Sequence, residues 1–362
     1  MPAVFKFEGK EQSHAVKFDG DDIRVIAGDV AQVRIATSLA LMPAYDPDKF
    51  DFHLLLKPDV KENDSKQVHS KIVGDTVRIG WAIPVLSLVS DQHDHASNEH
   101  FLRYAFLAIL MAVDLVSAQV EVELSELAEI DILKLLGEDA VILVISKVTL
   151  QKGHDFELKR ALPSLVSQGY ADGASDVEVG SRWLPREQEK DVVKIVLSSK
   201  CPDDHDMVAA MLNGFVSSHR SLALQFFYLY QIVELLMERV ISIRQKEIAD
   251  SIIQAGASSA KIRAALEKIV EINSERSKMN LVVDRYARIS GDLRELRIDC
   301  NKLQVKLGLD VGEGIADYLY PLRNYIFHNF RSFPKDAEPE LRAVVTALVI
   351  AIPLFLSKFD YG

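Results

Sequence analysis

Cysteine is nearly missing from this chain: Cys201 and Cys300 are the only two in 362 residues. Two thiols cannot form a disulfide framework, and neither stands in the Cys/His spacing of a zinc site. The composition therefore points to a reducing cytosol, with no structural metal and no cofactor expected. Nucleotide and hydrolase signatures are missing too. There is no Gly-x-x-x-x-Gly-Lys-Ser/Thr loop and no Gly-x-Ser-x-Gly elbow, and Gly312-Glu313-Gly314 is too short to cradle a phosphate chain. The opening Met1-Pro2-Ala3-Val4-Phe5-Lys6 has no basic segment followed by an apolar core, so no signal peptide is expected. Two apolar stretches, residues 105–113 and 343–356, fall short of the roughly 18 residues that a membrane span takes. The first meets Asp114 and the second contains Pro353, so both read as buried core. No repeat or low-complexity tract is present.

What the chain does have is enough apolar material, 48%, to fill two sizeable cores. Its charge is uneven. The net value of −11 falls almost wholly on residues 1–200, because from Cys201 onward 20 Lys and Arg meet 21 Asp and Glu. An acidic surface repels nucleic acid, so any RNA contact belongs to the C-terminal half.

Residues 1–200 mix strand and helix patterns. Val16-Lys17-Phe18, Ile23-Arg24-Val25-Ile26 and Val33-Arg34-Ile35 read as short strands between Asp19-Gly20-Asp21-Asp22 and Gly28-Asp29 turns. Further strands are expected at Phe52-His53-Leu54-Leu55-Leu56, Thr76-Val77-Arg78-Ile79-Gly80-Trp81, Val120-Glu121-Val122-Glu123 and Val141-Ile142-Leu143-Val144-Ile145. Residues 124–136 have helical spacing. The aperiodic, Gly- and Ser-containing run 168–190 and the Cys201-Pro202-Asp203-Asp204 break suggest a domain boundary near residue 200. Beyond it, residues 207–248, 259–277, 281–307, the stretch after Gly314, and 338–359 follow helical periodicity. The expected architecture is an α+β, β-rich domain over 1–200 followed by an all-α bundle of about five helices over 201–362.

One helix in the second half carries Leu322-Arg323-Asn324-Tyr325-Ile326-Phe327-His328-Asn329-Phe330-Arg331. At about 100° per residue, Asn324 and His328 share a face, Arg331 follows three positions on, and Arg323 starts about 140° away. A guanidinium is a fixed fork of donors for a phosphodiester, and an imidazole moves a proton near neutral pH. Together they supply what metal-free RNA transesterification needs: a proton taken from the 2′-hydroxyl, one given to the 5′-oxygen, and charge stabilisation on the phosphorane.

These residues resemble the signature of the HEPN superfamily, and within it the Apea-like group of bacterial antiviral proteins. The likeness spans about residues 201–362. It implies a helical bundle that dimerises, with catalytic roles on Arg323, Asn324 and His328. Phe226 to Leu236 is similar to the earlier helix of such domains, which assigns an auxiliary acidic role to Glu234; Tyr325 and Arg331 are further auxiliary candidates. The implied function is a metal-independent endoribonuclease leaving 2′,3′-cyclic phosphate and 5′-hydroxyl ends, in an antiviral or toxin-like role. Its partners would be RNA, with tRNA or another structured RNA as candidates, a second copy of the chain, and a trigger molecule bound by residues 1–200. Two departures stand out: Pro321 lies just before the motif, and Asn329-Phe330 replaces the small residue that often follows the histidine.

Other constellations carry competing expectations. A scaffold reading makes Arg323 and His328 structural groups in a non-catalytic dimerisation domain. A metal-dependent phosphodiesterase reading centres on His93, His95 and His100, in a polar segment where such residues are usually solvated. Asp203-Asp204-His205-Asp206 suits helix capping. Arg285, Arg288, Arg294, Arg297, Lys302 and Lys306 recur at helical spacing, either beside an RNA strand or as a solvated face paired with Asp284, Asp292 and Glu295.

Overall fold

The computed structural model describes residues 5–7, 10–12, 14–19, 22–27, 31–72, 75–119, 122–123, 129–150, 156–173, 192–198, 202–216, 221–256, 258–271 and 274–361. The glycine turns near 20 and 28, most of the 168–190 run, and Cys201 lie outside them. A β-rich N-terminal region is followed by a helical one, and the chain divides into two compact units. The first comprises 1–158, 170–181 and 189–195; the second comprises 159–169, 182–188 and 196–362.

In the β-rich unit, β1 (Phe5–Phe7) and β2 (Lys10–Gln12) form a small sheet with β9 (Val122–Glu123), in the order β2-β1-β9. β3 (His14–Asp19), β4 (Asp22–Ala27), β5 (Ala31–Ile35) and β10 (Glu129–Ile130) form a second sheet. The largest contains β6 (Phe50–Leu56), β7 (Lys66–Ile72), β8 (Asp75–Pro84), β11 (Ala140–Ser146), β12 (Ala171–Asp172) and β13 (Val192–Ile195), in the order β12-β6-β11-β8-β7-β13. β11 is buried along its whole length, which is why its sequence is a continuous apolar run rather than an alternating one. Gly80 on β8 lies so close to β11 that a Cβ there would sit 1.9 Å from the Val144 carbonyl oxygen. Short helices α1 (Val85–Val89) and α3 (Ile132–Leu136) flank the long α2 (Glu99–Gln119), and α4 (Lys147–Leu150) follows β11. Residues 105–109, 112 and 113 of α2 are buried, Phe106 at 8% exposure being the most open, so that stretch is core. The helix expected over 124–136 is corrected: 124–128 lie outside the described residues, 129–130 are strand, and only Ile132–Leu136 is helical, ended by Gly137 at φ +90°.

The helical unit takes in most of α5 (Leu158–Val166), whose Leu162 and Val166 join its core. α6 (Pro202–Ala209) runs into a π-helical stretch, Ala210–Val216. Then come α7 (Leu222–Ala255), α8 (Ser259–Glu271) and α9 (Glu275–Asn280), a second π-helical stretch (Leu281–Tyr286) and a 3₁₀ turn (Ser290–Leu293). α10 (Arg294–Lys306), α11 (Ile315–His328) and α12 (Glu338–Lys358) complete the bundle. With its flank, α12 is 24 residues long and apolar enough to cross a membrane, longer than the 343–356 stretch suggested, yet 61% of its apolar window is buried. Its Val344, Val345, Leu348, Val349 and Ile352 fill the core beside Leu229, Ile232, Val233 and Leu236 of α7.

Candidate active site

α11 starts just after Gly314, and the approach to it is tight: a Cβ at Gly312 would meet that of Asp317 at 2.2 Å, so only glycine fits there. The helix passes through Pro321 without stopping. Proline lacks an N–H and crowds the carbonyl four residues back, here that of Asp317. That carbonyl is taken up from outside the helix by the Gln304 side chain, whose Nε2 donates to it at 2.9 Å. Gln304 is fully buried on α10, so the two helices are tied where α11 would otherwise have an unpaired acceptor.

Just beyond Pro321 stands Arg323. Its Nη2 donates to Glu234 Oε1 of α7 at 3.2 Å, and its Nη1 donates to Asn324 Oδ1 at 3.2 Å. Gln231 donates to the other Glu234 oxygen, so the carboxylate is anchored on its own helix. The guanidinium carbon lies 4.8 Å from the ring centre of Phe327 and 5.7 Å from that of Tyr230. Each side chain of the pair is 24% exposed, so the arginine is seated but remains open to solvent. The Tyr230 hydroxyl is buried with no hydrogen-bond partner among the described residues, and burial first, then Glu234 and Glu275, push its pKa up.

His328 closes α11 and is exposed; among the described residues nothing hydrogen-bonds to its ring. Asn324 lies one turn before it on the same helix. Arg331 does not extend their face as expected: the helix ends at His328, Asn329 turns the chain at φ −115°, ψ 21°, and Arg331 lies in the 3₁₀ turn Phe330–Ser332. Tyr325 packs edge-on against Phe333 at 6.5 Å, and no hydrogen bond or ring contact among the described residues joins it to Arg323 or His328. Phe327 and Phe330, 41% and 49% exposed, flank the histidine, and Phe327 leans on Phe227 of α7 at 4.9 Å.

The other candidates resolve differently. His93 is buried, not solvated; its Nε2 donates to the Ser87 carbonyl at 3.0 Å and its Nδ1 accepts from the His95 N–H at 3.2 Å, which defines a neutral ring. His95 stacks on Phe101, and His100 Nδ1 meets the Tyr45 hydroxyl at 3.3 Å. Among the described residues no group of three or more His, Cys, Asp and Glu could hold a metal ion. Asp204, in the first turn of α6, is buried and paired with Arg239 of α7, Arg239 Nε donating to Asp204 Oδ2 at 2.9 Å. In the basic row the partners are not those expected. Arg285 pairs with Glu247, Lys302 with Asp299 and Lys306 with Asp336, while Arg288 donates to the Arg285 carbonyl. That leaves Arg294 and Arg297 without a hydrogen bond or ion pair among the described residues.

Comparison with protein-family models, with curated proteins and with solved structures gives no match to this chain.

Proposed function

We propose that the helical unit is a HEPN-type, metal-independent endoribonuclease acting in the cytoplasm, with His328 as the proton carrier and Arg323 as the phosphate clamp. The supporting observation is the seating of Arg323 by Glu234 and Asn324 on a helix that ends in an exposed histidine. Imidazole accepts the 2′-hydroxyl proton as that oxygen attacks phosphorus; Arg323 stabilises the charge on the phosphorane, and the 5′-oxygen leaves with a proton. The products carry 2′,3′-cyclic phosphate and 5′-hydroxyl ends. The second proton carrier is His328 of a second copy, which makes a homodimer the working unit. Exposed Phe327 and Phe330 suit stacking of unpaired bases beside the scissile bond. The β-rich half, with nearly all the negative charge, restrains the nuclease until a trigger binds, as an antiviral or toxin-like role requires. The test is incubation of wild-type and His328→Ala protein with total RNA in EDTA, mapping new 5′-hydroxyl ends. Ends produced by wild type alone are the expected result; equal cleavage by both proteins rejects the assignment of His328.

A second reading is favoured by the same arginine. Arg323 Nε is buried with no partner among the described residues and the guanidinium lies against two rings, as in a packing group of a non-catalytic scaffold. Stability separates the two. On the nuclease reading, His328→Ala leaves Tm unchanged while cleavage disappears.

A further inference from the structure

The largest sheet of the β-rich unit has a stretch of open face whose charge runs against that of its surroundings. Lys194 of β13 is registered with His69 of β7, and His69 in turn with Arg78 of β8, so the three stand in one row across adjacent strands. One row on, Lys71 is opposite Thr76, and one row back stands Gln67. Lys71, Thr76, Arg78 and Lys194 are exposed, while His69 and Gln67 are half-buried. These positions hold three permanent cations and no carboxylate, within the half of the chain that carries nearly all of the net charge of −11.

A β-bulge produces the row. Before it Val68 is opposite Gly80, and after it His69 is opposite Arg78, so Ile79 is the extra residue of β8. In an unbroken ladder His69 would face Ile79, and the Arg78 side chain would point to the other side of the sheet. The bulge instead sends Ile79 into the core, at 1% exposure, and turns Arg78 to the open face beside His69. Arg78 has no hydrogen bond or ion pair among the described residues. After burial, Arg78 and Lys194 are what lower the His69 pKa, and Arg78 acts in the same sense on His100 in the first turn of α2, where Glu99 is already paired with Arg103. Like charges set side by side across strands are destabilising, and an anion lying over them reverses the sign.

We propose that this face binds a small molecule carrying at least two phosphate groups, one seated between Arg78 and Lys194 over His69 and the other on Lys71. Strand spacing makes the row about 10 Å wide and sets Lys71 about 7 Å along β7 from His69, a span that two phosphates on one small scaffold bridge with the help of long side chains. Arg78 supplies a two-pronged donor and the lysines supply point charges. A nucleic-acid strand fits less well, because these positions offer no exposed Phe, Tyr or Trp on which bases could stack. The acidic remainder of this half also repels a long polyanion more than a short one, whose charges stay within a Debye length of about 8–10 Å of the row. The site is independent of the nuclease reading.

The test is calorimetric titration of the full chain with fructose 1,6-bisphosphate and inositol hexakisphosphate, with orthophosphate and citrate as controls. Saturable binding of at least one of the two probes, about tenfold or more tighter than either control, is expected. Arg78→Gln should weaken it about tenfold and Lys71→Gln about threefold, while Lys134→Gln, which removes a lysine of α3, leaves it unchanged; all three variants should keep the wild-type Tm. Sedimentation with phosphatidylcholine vesicles, with and without phosphatidylinositol 4,5-bisphosphate, separates the sources: capture by the phosphorylated vesicles, lost in Arg78→Gln, assigns the ligand to a lipid headgroup, and binding in solution alone assigns it to a free molecule. The proposal is overturned by absence of binding to both probes and to the phosphorylated vesicles, by citrate binding equally well, by insensitivity to Arg78→Gln and Lys71→Gln, by an equal loss in Lys134→Gln, or by a single-stranded RNA 12-mer binding more tightly than either probe in an Arg78-dependent way.

Discussion

A guanidinium has five N–H donors, and at Arg323 one on each terminal nitrogen is committed, to Glu234 and to Asn324. An incoming phosphate therefore competes with a carboxylate already in place. Glu234→Gln retains a hydrogen-bond acceptor while removing the competing charge, so a non-cleavable 2′-O-methyl RNA should bind several-fold more tightly; fluorescence anisotropy at fixed salt measures it. Unchanged or weaker binding would mean that Glu234 orients the arginine without competing for phosphate. At this scale the sequence is informative wherever residues lie close in the chain. Asn324 and His328 share a helix because four residues make about one turn. The Glu234 contact, 89 residues away, is suggested only by the family likeness, and the burial of Asp204 against Arg239 leaves no local trace. Arg331 departs from its expected face because the helix stops at Asn329, a residue type that favours helix ends, and the helical count does not carry past it.

Helices and strands are legible to the extent that their periodicity is uninterrupted. β4, β6, β8 and β11 coincide with runs that alternate or stay apolar, and α7 and α12 with long stripes. The two π-helical stretches are not visible, since one extra residue in a turn leaves the apolar spacing almost intact. Pro321 suggests an interruption that does not occur, because the rescuing group, Gln304, comes from another helix. Replacing Gln304 by Met should strip the Asp317 carbonyl of its donor and cost about 1–3 kcal/mol in urea unfolding. Adding Pro321→Ala should recover part of that loss, because alanine supplies the backbone N–H that proline lacks. Additive effects in the double variant would show that the bond to Gln304 does not compensate for Pro321.

The two units also differ in their response to acid. His53, His69, His93 and His100, all in the β-rich unit, have pKa values lowered chiefly by burial. The folded unit thus binds fewer protons than the unfolded chain just below about pH 6.5. Stability is full above that pH and declines as pH falls toward the folded pKa values. Fluorescence of Trp81, which packs against His95 and Phe101, should show a lower urea midpoint at about pH 5.5 than at about pH 7.5, in a Trp183→Phe background. A midpoint independent of pH over that range would remove burial as the dominant influence on these rings. The division into a β-rich half and a helical half is legible because the period of the apolar pattern changes along the chain. The recruitment of α5 to the helical core is not, since an amphipathic helix does not specify which core it will face.

The tie between Gln304 and the Asp317 carbonyl has a consequence for inheritance. In a descendant that loses Pro321, the backbone N–H of residue 321 can serve the Asp317 carbonyl and the glutamine is no longer required there; in one that loses Gln304 but keeps the proline, the proline becomes a defect in the helix that carries Arg323 and His328. Sequences that keep Pro321 without a donor at position 304 should therefore be rare.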